Sequence, residues 1–456
     1  MKVAVVGGGI AGLAAAWELR ADAEVTVFEP AALGGKVRTS VFEGVAVDEG
    51  PDAFLTRSPA AVQLCSELGL DSELVAPAAG RTLLWAGGRL KPLPDGLVLG
   101  VPGRLAPVVR SGLLSPAGMA RAGLDLVLPG TPAGDDVGVG ELVIARLGRE
   151  VADRLVEPLL GSIHAAPITG MSAAVTAPQL LAAARRRRSL LRALREGDGS
   201  GGGRPPPGDG GPLFLAPRLG MGRIVQRLHE ELHAAGVRVE RFAVETVRVT
   251  PAGVEMGGSG IFDAAVLAVP APVASRLLGA AAPPPLAAIE LTSVSLVTLA
   301  YDAARMEVPA AVNGVLVPAG EGRLMTACSF GSNKWPQWAT PGRVVVRVSV
   351  GRRGDTRADE LDDGALVDRL SAELAAALGS RAAPLAARVS RWPEAFPFFR
   401  VGHPELVTGI RDDLRRRAPA VALAGASYGG AGIPACIASG RAAAAAVRER
   451  RLAARG

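Results

Sequence analysis

Val3-Ala4-Val5-Val6-Gly7-Gly8-Gly9-Ile10-Ala11-Gly12 is the stretch that decides how this 456-residue chain folds. The four leading apolar residues read as a short buried strand, and Ile10 to Leu19, rich in Ala and Leu, reads as a helix. Gly7, Gly9 and Gly12, with Gly8 between the first two, form G-x-G-x-x-G where that pattern is informative: directly after a strand and at the start of a helix. Gly7 permits the tight turn, Gly9 lets the backbone approach a pyrophosphate, and Gly12 lets helix and strand pack closely. The helix N-terminus, with Ile10 and Ala11 in its first turn, then faces the phosphates. Val25 to Phe28 reads as a second strand and closes a β-α-β unit. Glu29 sits at its end, placed to accept hydrogen bonds from ribose hydroxyls and to disfavour a 2′-phosphate.

A second run, Gly34-Gly35-Lys36-Val37-Arg38-Thr39, favours FAD over NAD. Flavoproteins of the amine oxidase and porphyrinogen oxidase superfamily carry a similar G-G-[RK]-x-x-[TS] shortly after the ribose acid. Paired glycines allow close backbone approach, and Lys36 and Arg38 place cations within reach of a pyrophosphate. A third contact is expected from the far end of the chain, Gly429-Gly430-Ala431-Gly432-Ile433-Pro434, where Pro434 suits the first turn of a helix. That helix N-terminus would stabilise negative charge on reduced flavin.

Helices are expected at 60–68, 136–154, 177–195 and 222–235, the last closed by Gly236. Strands are expected at 237–240, 243–249, 262–269, 344–350 and 421–425. αβ character that returns so far downstream implies a discontinuous nucleotide-binding domain with a second domain inserted into it. The segment GDGSGGGRPPPGDGG, residues 197–211, cannot bury apolar surface and reads as a flexible loop. Hydrophobic residues make up 49% of the chain, which excludes global disorder. The 50 basic and 44 acidic residues are spread along it, so the net charge of +6 marks no nucleic-acid partner, though it suits a substrate bearing several carboxylates. Three scattered cysteines, Cys65, Cys328 and Cys436, indicate neither disulfides nor a zinc knuckle and fit a reducing cytoplasm. No spanning segment stands out, which leaves at most peripheral membrane contact.

Further motifs give the chain a family resemblance. These are Gly44-Val45-Ala46-Val47-Asp48-Glu49-Gly50-Pro51-Asp52-Ala53-Phe54, Glu157-Pro158-Leu159-Leu160-Gly161, Thr326 to Phe330 with Lys334-Trp335-Pro336, Arg391 to Pro397 through His403, and Gly425 to Ile437. With the glycine turns, they resemble the porphyrinogen oxidase family along nearly the whole length, most of all its bacterial coproporphyrinogen III oxidases. The resemblance implies an α/β fold with a Rossmann-like FAD-binding domain in three pieces, 1–80, 212–272 and 389–456. An α+β substrate-binding domain would comprise 81–211 and 273–388. It places Gly7 to Gly12, Glu29, Lys36, Gly50, Pro51, Asp52, Ala53, Val244, Trp392, Ala431, Gly432 and Ile433 around the cofactor, with no metal and no dedicated catalytic acid or base. The expected partners are a porphyrinogen and O₂; homodimerisation and contacts with other haem-pathway enzymes are left open. Asp52 stands where mitochondrial members carry Arg, which favours the coproporphyrinogen branch over protoporphyrinogen IX. Departures at Phe399, at Ile163-His164-Ala165-Ala166-Pro167 and at Ala435 bear on substrate contacts and leave the flavin site intact.

His229-Glu230-Glu231-Leu232-His233 matches H-E-x-x-H but has no third ligand nearby, and its helix is expected to turn these polar residues to solvent. The run Arg185 to Arg188 reads as a solvated helix face. Two other readings share this pattern: a flavin oxidase of amines or carotenoid precursors, and a prenyl-binding escort protein without flavin.

Overall fold

A computed structural model describes residues 1–128, 134–197 and 211–453. Its first sheet is parallel and five-stranded, in the spatial order Arg238–Glu240, Glu24–Phe28, Lys2–Val6, Ala264–Leu267, Val421–Leu423. Its strands come from three distant parts of the chain, and all but the first are almost entirely apolar, as strands covered on both faces must be. One face is covered by helix Ile10–Leu19, which packs against helix Ile433–Ala453 and helix Gly222–Ala234. Helices Ala271–Leu278 and His403–Arg417 and a small antiparallel meander, Val247–Thr250, Gly253–Met256 and Gly260–Phe262, cover the other face.

The second sheet is mixed and seven-stranded, in the order Ala386–Pro397, Leu291–Asp302, Arg343–Val350, Met325–Phe330, Val312–Leu316, Arg81–Ala86, Arg89–Pro92. Helix Asp363–Leu378 buries one face of it. A lobe of short helices between Leu105 and Gly197 forms its own core against Leu84 and Phe398. The architecture is thus mixed α/β.

Several elements differ from their sequence reading. The expected helix 136–154 stops at Gly148, whose φ of +92° no helix accommodates, after an α-helical Val139–Leu147. The chain then winds into a π-helix, Ala152–Gly161, around Pro158. The expected helix 177–195 is two, Pro178–Arg186 and Leu190–Gly197. They part at Ser189, which donates to the buried carboxylate of Asp125 at 2.8 Å and accepts from the Arg192 amide at 3.2 Å. The strand expected at 243–249 begins only at Val247, and 262–269 divides at Asp263 between the meander and the parallel sheet. The boundary expected between 388 and 389 falls inside strand Ala386–Pro397, which pairs with Leu291–Asp302 from Ala386 to Pro397. The chain therefore leaves this sheet only after residue 397. Apart from its two end residues, the Gly/Pro-rich loop 197–211 lies outside the described residues.

Candidate active site

The turn after the first strand has the form its glycines require. Gly7 holds a φ of +105°, and a Cβ there would lie 2.6 Å from the Ala268 carbonyl oxygen. A Cβ on Gly12 would lie 1.9 Å from the Gly7 carbonyl oxygen. Gly9 is different: a Cβ there would meet nothing within 4 Å. Its backbone therefore lies bare against open space, at the N-cap of a helix with no side-chain cap and no acid in its first turn. Such a helix start is suited to an anion. Glu29 stands beside it and accepts from the Gly8 amide at 2.8 Å and the Ala31 amide at 3.0 Å. Each carboxylate oxygen keeps acceptor capacity for a sugar hydroxyl.

Gly34 joins this turn directly. Its amide donates to the Gly8 carbonyl at 2.8 Å, which sets the Gly34-Gly35-Lys36 run against the first glycine turn. Lys36 is half-buried, and its ammonium has no hydrogen-bond or ion-pair partner among the described residues. Burial pushes its pKa down, and the Cys436 thiol beside it counters that. Cys436 lies in the first turns of helix Ile433–Ala453, next to the Gly430 and Ala431 carbonyls, and burial raises its thiol to about 11. Gly50 closes the ring, since a Cβ on it would meet the Lys36 carbonyl oxygen at 2.0 Å. Thus Gly7 to Gly12, Glu29, Lys36, Gly50 and Ala431 to Ile433, scattered over 427 residues of sequence, converge. The fit to an FAD is physical: a bare glycine backbone, an uncapped helix start and a half-buried lysine without a counter-ion all lack an anion that the cofactor's pyrophosphate carries.

Other expected residues play less direct parts. Arg38 is half-exposed, 3.9 Å from Glu49, with its guanidinium over the Trp392 ring at 5.4 Å. The Trp392 indole N–H donates to the Glu49 carbonyl at 2.8 Å. Val244 lies in an irregular segment and packs against the core on the outer face of the parallel sheet. The Asp52 side chain is turned toward the seven-stranded sheet, where its Oδ2 accepts from Lys334 Nζ at 2.9 Å and Trp335 Nε1 at 3.1 Å and lies 3.6 Å from Arg347 Nη1. Burial alone would raise this carboxyl, but Lys334 and Arg347 outweigh it and hold it well below the usual carboxylate range. Pro51 and Ala53 flank it.

Sequence reasoning assigned no role to Lys334, Arg347 or Arg388. Arg347 carried a signal: a lone cation inside Val344-Val345-Val346-Arg347-Val348, a run that otherwise reads as a buried strand. Its Nη2 donates to the Gly50 carbonyl, and Arg388 reaches the Ser40 hydroxyl and the Val47 carbonyl. Beneath them Asp48 accepts from Thr39 Oγ1 and from the Met221 amide; burial raises its carboxyl to about 6 against those hydrogen bonds and Arg347.

In the helical lobe, His164 ends the wide-turn helix region, just before Ala165 with its φ of +50°. Its half-buried ring meets Phe399 edge-on at 6.3 Å, and burial lowers the imidazole to about 4, so it is neutral. His403, fully buried, also meets Phe399 edge-on, at 5.0 Å, and donates from Nε2 to the Ser427 carbonyl at 2.9 Å. His229 and His233 are exposed, and Glu230 between them is paired with Arg227 at 2.8 Å. No group of three or more metal-ligating side chains occurs among the described residues, and no described helix is long and apolar enough to cross a membrane.

A coproporphyrinogen III oxidase of Bacillus subtilis is 31% identical, with 97% of this chain and 96% of that protein aligned. A coproporphyrinogen III oxidase of Mycobacterium tuberculosis H37Rv is 34% identical over 96% of this chain and 95% of its own. A solved structure from Exiguobacterium sp. 255-15, provisionally assigned as a protoporphyrinogen oxidase, superposes with a TM-score of 0.89 at 27% identity and covers 98% of both chains. Residues 10–448 match the family described as flavin containing amine oxidoreductase, and the chain belongs to that family.

Proposed function

We propose that this chain is an FAD-dependent oxidase that converts coproporphyrinogen III to coproporphyrin III with O₂ as acceptor. The observation that carries the reading is the end-to-end likeness to coproporphyrinogen III oxidases at 31–34% identity over 96–97% of this chain. In this reading residues 1–80, 212–272 and 398–456 hold the FAD. The seven-stranded sheet and the helical lobe bound the substrate, and the enzyme works in the cytoplasm.

A bound flavin would supply the redox chemistry, a two-electron oxidation repeated three times per porphyrin with O₂ as the acceptor and hydrogen peroxide as the product. The protein's part is to bind, orient and shield. Gly7 to Gly12 and Lys36 hold the pyrophosphate, Glu29 the ribose, and Gly50 to Ala53, Trp392 and Ala431 to Ile433 the ring system. His164 and Phe399 give the substrate an apolar wall that carries no charge at neutral pH. The porphyrinogen's own pyrrole N–H can release the proton, so no side chain need act as base.

Arginines beside that wall offer partners for propionates. The Arg353 amide donates to the Ala165 carbonyl at 2.8 Å, and its guanidinium lies 4.3 Å from the centre of the Phe398 ring. Glu290 pairs with both Arg353 and Arg400, while Arg352 faces Glu157 and Asp355, the latter paired with Arg357. Coproporphyrinogen brings four propionates to these arginines and protoporphyrinogen two. The test is aerobic turnover of the yellow protein with each substrate, followed by porphyrin fluorescence against an enzyme-free blank. Faster oxidation of coproporphyrinogen is expected; a preference for protoporphyrinogen IX would reverse the assignment.

A further inference from the structure

Arg347 is 7% exposed, and two of its nitrogens, Nε and Nη1, have no hydrogen-bond acceptor. It reaches the site from strand Arg343–Val350, whose Val346, Val348 and Val350 pack into the core on the opposite face. Directly across the ladder on either side stand Thr298 and Ser329, and the Ser329 hydroxyl is likewise buried without a partner. Its one filled nitrogen, Nη2, donates to the Gly50 carbonyl, at the edge of the ring of cofactor segments described above. A buried guanidinium with donors unfilled is strongly destabilising unless its acceptor arrives with a ligand. Within the same cluster Lys334 adds a second positive charge and Asp52 a single negative one, so the group carries a net charge of +1.

We propose that Arg347, propped by Asp52 and Lys334, is a flavin-tuning site: its fixed positive charge stabilises the reduced cofactor and so raises the protein's reduction potential. The proposal rests on the FAD reading. Reduction by two electrons and one proton, both drawn from the porphyrinogen as a hydride, leaves the flavin one unit more negative than before. A net positive charge held in a site that excludes water interacts with that added charge far more strongly than it would in solution. Arg347 is thus a positioning and electrostatic residue, distinct from the segments that hold the pyrophosphate.

The sign of the effect separates an electrostatic role from a structural one. In FAD-loaded protein, Arg347→Met and Lys334→Met remove a positive charge, and Asp52→Asn removes the negative one. Sulfite, which adds to oxidised flavin and leaves it anionic, reports the same local charge through the loss of visible absorbance. Arg347→Met and Lys334→Met are expected to weaken sulfite binding by about tenfold and lower the midpoint potential, whereas Asp52→Asn tightens sulfite binding and raises the potential. Yellow, folded variants whose constants stay fixed, or all move in one direction, would overturn the tuning role alone. Wild-type protein that neither carries nor takes up flavin would overturn the FAD reading with it. Should Arg347→Met fail to fold, Lys334→Met and Asp52→Asn must still move oppositely.

Discussion

Single residues in this molecule separate what serves the fold from what serves the ligand. Gly12 and Gly9 belong to one motif, yet a Cβ at Gly12 collides with backbone and one at Gly9 projects into open space. Gly12→Ala should therefore lower the melting temperature of the flavin-free protein, by about 1–3 kcal/mol of overpacking. Gly9→Ala should leave that temperature unchanged and weaken FAD in a direct titration. Asp48 offers a pH prediction. Its folded value of about 6 exceeds its ordinary 3.8, so the folded chain holds this proton more tightly than the unfolded one. The stabilisation is complete below about pH 3.8 and is lost as the pH rises through about 6, a change of up to about 3 kcal/mol. Asp48→Asn keeps an oxygen acceptor for Thr39 and Met221, so thermal melts from pH 5 to pH 8 should show less decline for the variant than for the wild type. At this scale the glycines and Glu29 were legible because backbone approach and charge leave marks in the sequence. Lys334 and Arg347 were not, because their partner Asp52 lies more than 280 residues away.

Among the elements, the strands and helices defined by local pattern were read correctly, and those defined by a distant partner were not. The apolar run at 3–6 and the helix at 10–19 needed only their own periodicity. The break between helices Pro178–Arg186 and Leu190–Gly197 depends on Asp125, whose Oδ2 takes both the Ser189 hydroxyl and the Leu191 amide, the latter at 2.9 Å. Without that carboxylate the sequence reads on as one helix. Ser189→Ala should lower stability by about 1 kcal/mol, as loss of an N-cap does, and Asp125→Ala by more, because two donors are left unfilled. Urea melts of the two variants test the order. The π-helix Ala152–Gly161 escaped the sequence for a similar reason: its wide turns accommodate Pro158 while buried Val151, Leu155 and Leu160 keep their places in the lobe's core.

Over the whole molecule, one stretch of chain ties the seven-stranded sheet to the glycine turns. Residues 40–52 receive Arg388 at Ser40 and Val47, Trp392 at Glu49 and Arg347 at Gly50 from the strands of that sheet, and Lys334 at Asp52 from the short helix Gly331–Lys334 that follows one of them. The discontinuity of the parallel sheet was legible as αβ character returning downstream; the point of return was not, because strand Ala386–Pro397 is fixed by pairing with Leu291–Asp302. That discontinuity also bears on how the protein is made. Strand Lys2–Val6 leaves the ribosome well before its sheet is completed by Val421–Leu423, and helix Ile10–Leu19, partly covered by Gly222–Ala234, is fully covered only once Ile433–Ala453 follows. At about 5–20 residues per second the gap is roughly 20–80 s, during which a helix with nine of its ten residues destined for burial stands open to chaperones and proteases. Nascent chains stalled short of residue 420 should be cut readily by added protease near their N-termini, and chains stalled once residue 453 has cleared the exit tunnel should resist.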